Sequence, residues 1–151
     1  MYLPSAFAER LLTEQNECTL AWVCDDGTPA ATIVSFFWSD EKIWMVVEAD
    51  SPRLRSIQKR PDVAVVVTGK GTSMGIARCV SLRGQCVRID EPQQRDWFFR
   101  VFSQVVLPDS SKGAAFMEQS MNNPAQVVLA MTPTSAREYD AHEMMVSANR
   151  Y

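Results

Sequence analysis

Phe7, Leu11 and Leu12 recur at helical spacing behind Ser5, with Glu9, Arg10, Glu14 and Gln15 on the opposite face, so the chain is expected to open with a short helix capped by Ser5. The period then changes. Cys18 to Val23 is rich in strand formers and stops at Asp25-Asp26-Gly27-Thr28-Pro29, a turn signal built on Asp-Gly. Ala30 to Trp38 resumes as a strand, Ser39-Asp40-Glu41 turns the chain, and Lys42 to Glu48 forms a third strand. These segments predict a three-stranded antiparallel meander.

Ser51 followed by Pro52 is the cap and first-turn pairing that starts a helix, which runs to about Lys59 and ends before Pro61. The run Val63 to Val67 is continuously apolar, as expected of a strand buried on both faces. A loop from Gly69 to Gly75 separates it from a long strand, Ile76 to Ile89, in which Gly84 marks a bulge. Phe98, Val101, Phe102 and Val105 restore the helical period after Glu91-Pro92, and a shorter helix is expected over Ser110 to Met121. Gln126 to Met131 returns to strand and stops before Pro133, while Thr134 to Tyr151 carries no decisive pattern. The order predicts a mainly β fold of α+β type, a small antiparallel barrel with helices packed outside it.

Both faces of Ala30 to Trp38 are largely apolar, and a barrel buries only one. The second face calls for a cover: a helix of the same chain, a partner subunit or a planar ligand.

Length and composition narrow the possibilities. The 151 residues fit one domain, with 46% hydrophobic and 22% charged residues, an ordinary globular balance. The formal net charge of -3 offers no general attraction to nucleic acid. His142 is the single histidine, which excludes zinc hydrolase motifs and His-rich metal centres within one subunit. Cys18, Cys24, Cys79 and Cys86 form no Cys-x-x-Cys pair and are read as free, buried thiols. The sequence has neither a signal-peptide pattern nor a run of ~18 apolar residues, so a reduced, cytoplasmic protein with no membrane partner is expected.

Candidate chemistry concentrates in Ser51-Pro52-Arg53-Leu54-Arg55. The first turn of a helix has unpaired N–H groups and a partial positive charge, so two arginines there point to a bound anion, unless Asp50 and solvent neutralise them. A Ser hydroxyl, free N–H groups and guanidinium forks would suit a phosphate. Gly69-Lys70-Gly71 lacks the spacing of a phosphate-binding P-loop, and no Gly-x-Ser-x-Gly nucleophile elbow occurs. The aromatic residues Trp22, Phe36, Phe37, Trp38 and Trp44 suit core packing, or an apolar wall beside the anion site.

The ordered run Thr19 to Val23, the turn Asp26-Gly27-Thr28-Pro29, Phe36 to Asp40 leading to Lys42-Ile43-Trp44, and Ser51 to Ile57 before Arg60-Pro61-Asp62-Val63 resembles the FMN-binding split-barrel family, which includes pyridoxamine 5'-phosphate oxidases. Val80 to Ile89 with Gly84 is similar to that family's long strand, and Leu129 to Pro133 with Tyr139-Asp140 to its closing strand and tail. The resemblance implies a split barrel, a homodimer and FMN at the subunit interface. Ser51, Arg53 and Arg55 would hold the phosphate; Thr32, Val34 and Ser35 on the second strand and Val47 and Glu48 on the third would line the flavin; Gln85 and Arg137 would reach it from the other subunit.

Two departures stand against oxidation of pyridoxamine phosphate itself. Ala30 to Trp38 contains no basic residue, and the Arg-Leu-His-Asp-Arg signature of those oxidases is missing. The expectation is therefore a flavin-dependent oxidoreductase or flavin reductase acting with a small-molecule electron donor or acceptor, and a deazaflavin would fit the same pattern. A haem-binding barrel with His142 as axial ligand, and a dimeric scaffold without a cofactor, are the alternatives.

Overall fold

The computed structural model describes residues 1–150. Helix α1 (Ala6–Glu14) is capped by the Ser5 side chain, which accepts a hydrogen bond from the Ala8 amide. Strands β1 (Glu17–Val23), β2 (Pro29–Ser39) and β3 (Lys42–Glu48) form the meander. Asp40 and Glu41 both take positive φ, 52° and 58°, the geometry of a tight two-residue hairpin turn. Helix α2 (Pro52–Lys59) follows, then β4 (Asp62–Thr68) and β5 (Arg78–Ile89). Helices α3 (Pro92–Val106) and α4 (Ser111–Met121), strand β6 (Gln126–Asp140) and helix α5 (His142–Ala148) complete the chain.

The six strands close into an antiparallel barrel in the order β1-β2-β3-β6-β5-β4. Side chains alternate across each strand, so one set converges inside: Leu20, Phe36, Ile43, Met45, Val65, Leu82 and Leu129 are all essentially buried there. Helix α1 adds Leu11 and Leu12 to this core, and α2 adds Leu54 and Ile57. The Gln15 side chain donates to the carbonyls of Thr68 and Lys70, placing α1 where β4 finishes. Arg60 Nε donates to the Val23 carbonyl, placing the end of α2 where β1 finishes.

A second core lies outside the barrel. Phe37, Trp44, Val128 and Ala130 pack against Phe98, Phe99 and Phe102 of α3. Trp97 meets Phe37 and Trp44 edge-on, with ring centroids 5.5 and 4.9 Å apart. One stretch of β2 is thus covered by this chain's own helix. Nearer its start, Ile33 remains 61% exposed and Ala31 is exposed.

Three sequence expectations need correction. Strand β4 buries only Val63, Val65 and Val67, while Ala64 and Val66 on its other face are half-buried, because no helix of the chain covers that face fully. Strand β5 starts at Arg78 rather than Ile76, since Gly75 and Ala77 take φ values of 76° and 60° and turn the backbone there. Strand β6 runs through Pro133 to Asp140. Proline lacks an N–H, but Pro133 sits opposite Gly84 at an irregularity of the β5–β6 ladder, where the register shifts between Arg83 and Gly84. The strand-like end of β6 therefore draws its pairing from β5, from Ser135↔Arg83 to Asp140↔Arg78.

All four cysteines are free, as read from the sequence; Cys18 and Cys86 are buried, whereas Cys24 and Cys79 are half-buried. Among the described residues no helix is long and apolar enough to cross a membrane.

Candidate functional site at the split between β2 and β3

Strand β2 is eleven residues long, but only Phe36–Ser39 pair with β3, against Met45–Lys42. Continued pairing would set Ser35, Val34 and Ile33 opposite Val46, Val47 and Glu48. Instead β2 turns away with β1, its partner from Ser35 to Pro29, and Val46–Glu48 of β3 pair only with Val128–Gln126 of β6. The sheet splits there. Ala30–Ser35 consequently have no strand partner on that side, so their backbone presents free N–H and C=O groups.

Helix α2 starts where β3 ends. Ser51 is its N-cap, accepting from the Leu54 amide at 3.3 Å and donating its hydroxyl to the Glu48 carbonyl at 2.8 Å. Arg53 Nη2 lies 2.7 Å from Glu48 Oε2, with the arginine side chain 19% exposed and the glutamate side chain 59%. Glu48's own backbone amide and the Arg53 guanidinium hold that carboxyl below its usual range. Arg55 is exposed and donates to the Asp50 carbonyl at 3.1 Å. The two arginines at this helix start are therefore already engaged, Arg53 by a carboxylate and Arg55 by a backbone oxygen.

A cleft of about 400 Å³ borders this turn, lined by Trp22, Cys24, Asp25, Asp26, Pro52, Arg53, Arg55 and Ser56. Asp25 is bound by Arg60 and lies 3.7 Å from Lys59 Nζ; the Arg60 hydrogen bond, then the Lys59 charge, lowers its pKa. Asp26 accepts from the Thr28 hydroxyl at 2.6 Å, which lowers its pKa as well. A second cleft of about 420 Å³ shares Trp22 as a wall, with Ala21, Ala64, Arg83, Gly84, Thr134 and Ser135 among its other lining residues. Both volumes lie in the range of small-molecule sites.

The structure brings Ser51, Arg53 and Glu48 into direct contact and sets Arg55 beside them on α2. Val34 and Val47 turn their side chains into the barrel core, so only their backbones face the split. Thr32 and Ser35 are half-buried on β2. Gln85 donates to Asp62 at 3.0 Å, and Arg137 is exposed on β6, opposite Ser81; neither contacts the first turn of α2. His142 lies against Gly75, with Nδ1 2.8 Å from the Ile76 carbonyl, and ties α5 to the loop before β5. It does not join the cluster at Ser51.

The aromatic wall expected beside the anion site is also reduced. Phe36 fills the barrel, Phe37 and Trp44 lie under α3, and Trp38 donates Nε1–H to Glu9 of α1 at 3.2 Å. Only Trp22 of the five lines the cleft. Sequence reading did not register that Glu48 would claim Arg53, or that Cys24 and Asp25 would wall the cleft. The signal for the first was an acidic residue ending β3 just before an uncompensated basic turn.

These features match known proteins at the level of fold. The chain superposes on a conserved hypothetical protein from Mycobacterium tuberculosis at a TM-score of 0.79 and 19% identity, covering 95% of this chain and 89% of that one. An F420 reductase gives 0.67 and 21%, covering 89% and 98%. A FAD-binding protein from Mesorhizobium loti gives 0.66 and 18%, covering 92% and 96%. No curated protein matches the sequence. The family model described as pyridoxamine 5'-phosphate oxidase matches residues 5–140, so the split barrel read from the strand order has a family behind it, and the chain belongs to the pyridoxamine 5'-phosphate oxidase family.

Proposed function

We propose that this protein binds a flavin-type cofactor, FMN or a deazaflavin, at the split between β2 and β3 and acts as an oxidoreductase on a small-molecule electron donor or acceptor. One observation carries the reading: β2 leaves β3 with the edge of Ala30–Ser35 unpaired, and β3, its partner up to Phe36, leads directly into the helix start bearing Ser51 and Arg53. A free strand edge offers alternating donors and acceptors to the rim of a planar heterocycle, and a helix start with an arginine offers charge-assisted bonds to a phosphate. Family membership and the names of the F420 reductase and the FAD-binding protein support the same class of ligand. The bound ring would supply the redox chemistry, and this chain would hold and orient it. Nothing basic on β2 supports pyridoxamine phosphate as substrate.

The same reading includes a homodimer. Across the outer face of the barrel the register sets Ala31, Ala21 and Ala64 side by side, and next to them Ile33, Thr19 and Val66. All six are half-buried or exposed in one chain. A second copy would bury this flat patch and complete the site with residues of its own.

Absorbance of the purified protein, followed by titration with FMN and with riboflavin, tests the proposal. A flavin spectrum and tighter binding of FMN are expected. Arg53→Ala should weaken FMN about ten- to a hundredfold and leave riboflavin nearly unchanged, the size of one to a few charge-assisted bonds. Equal weak affinity for both ligands would remove the phosphate site. A Soret band lost in His142→Ala would favour haem, and no saturable binding would favour a scaffold without cofactor.

A further inference from the structure

Two of the groups that the start of α2 would offer an anion are held by one residue. The Ser51 hydroxyl donates to the Glu48 carbonyl at 2.8 Å, and Arg53 Nη2 is 2.7 Å from the Glu48 carboxylate. The Ser51 amide also donates to the Glu48 carbonyl, at 3.2 Å, so the end of β3 is clamped to the helix cap. That clamp fixes the backbone from which the Glu48 side chain reaches Arg53. Arg53 is the more enclosed partner, with 19% of its side chain exposed against 59% for Glu48, so the carboxylate is the member that can swing out to solvent.

We propose that Glu48 is a built-in occupant of the anion site, and that it sets which ligands can enter. This rests on the phosphate-binding reading above. A ligand reaches Arg53 only by displacing a carboxylate that is already tethered there. A monoanionic carboxylate ligand exchanges like for like and gains little from the exchange. A phosphate monoester carries up to two charges and three acceptor oxygens, enough to engage the guanidinium, the Ser51 hydroxyl and the Arg53 amide together. The site thus selects phosphate monoesters over carboxylates, at the cost of affinity for both. The expelled carboxylate, on the exposed side of the junction, is left in water.

The measurement is ligand affinity in the full-length protein and in Glu48→Gln, which keeps the shape and removes the competing charge. FMN should bind Glu48→Gln about tenfold more tightly, the difference between a charge-assisted and a neutral hydrogen bond to Arg53, with riboflavin changed less than twofold. Glu48→Asp, which keeps the charge on a side chain one methylene shorter, should fall between the two. Unchanged or weaker FMN binding in Glu48→Gln, or an equal gain for riboflavin, would overturn the proposal. The flavin reading fails separately, if neither flavin binds either form. In that case inorganic phosphate and acetate, titrated while the backbone amide signals of Ser51, Arg53 and Leu54 are followed by NMR, decide the role of Glu48. Tighter phosphate in the Gln variant and a phosphate-to-acetate preference that shrinks in it support the role; equal behaviour of the two forms, including no binding in either, ends it.

Discussion

Cys18 and Cys86 lie within the barrel core, and burial pushes each thiol up to about 12. An unfolded cysteine ionises near 8.5. The unfolded chain therefore releases these two protons first, so their contribution to stability is complete below about pH 8.5 and is lost progressively toward pH 12. A denaturation series from pH 7 to 11 should show the midpoint falling above pH 8.5, and Cys18→Ala with Cys86→Ala should flatten that decline even if overall stability drops. A thiol reagent at pH 8 should label half-buried Cys24 and Cys79 in the native protein while Cys18 and Cys86 react only on unfolding. At this same scale the helix start was partly legible: Ser51 and Pro52 have the chemistry of a cap and a first turn wherever they occur. The ion pair between Arg53 and Glu48 was not, because it depends on the angle at which β3 delivers the chain into α2.

Among the elements, the junction of β5 and β6 governs how the barrel closes. A Cβ on Gly84 would collide with the Thr132 carbonyl oxygen and come within 2.7 Å of Met131 Sδ, so the two strands approach there only because the residue is glycine. Gly84→Ala should lower stability by about 1–3 kcal/mol in urea titration, the usual range for forcing atoms into a filled interior. The sequence marked Gly84 as a bulge, yet it ended β6 at Met131, before Pro133, since a proline without context reads as a stop. The partner strand supplies that context. Helix α3 is the other decisive element. Phe98 is fully buried and packs with Phe37, Phe99 and Phe102 at ring separations of 5.0–5.5 Å, so it ties the helix to the outer face of the sheet. Phe98→Ala should cost about 3–5 kcal/mol by the same measurement, a value near zero being incompatible with this packing.

For the whole molecule, the barrel has one outer region closed by α3 and another left open along Ala31, Ile33, Ala21, Ala64 and Val66. The proposed dimer uses the open region. Ile33→Glu places a charge at an exposed, large apolar side chain of that region, 61% accessible in the single chain, and should convert a dimer to a monomer in sedimentation velocity without lowering the monomer's own stability. A wild-type protein that sediments as a monomer at tens of micromolar would refute the dimer. The split between β2 and β3 belongs to this scale too. It arises because β2 follows β1 while the end of β3 follows β6, a division that no local pattern in either strand encodes.

Period, caps and turn residues are local properties, and from them the sequence by itself determined the identity and order of the elements as far as Met131, the barrel class and the capped start of α2, while the family resemblance rested on the order of its short motifs. The tertiary structure alone decided which apolar faces meet, and hence that β2 is covered by α3 at one end and open at the other. It also decided that a strand can pass through Pro133, that four of five aromatic residues are spent on packing, and that Arg53 meets Glu48. Each of these depends on the relative placement of segments distant in sequence or on the angle between neighbouring ones, and the chain acquires that geometry only when its strands pair and its core closes.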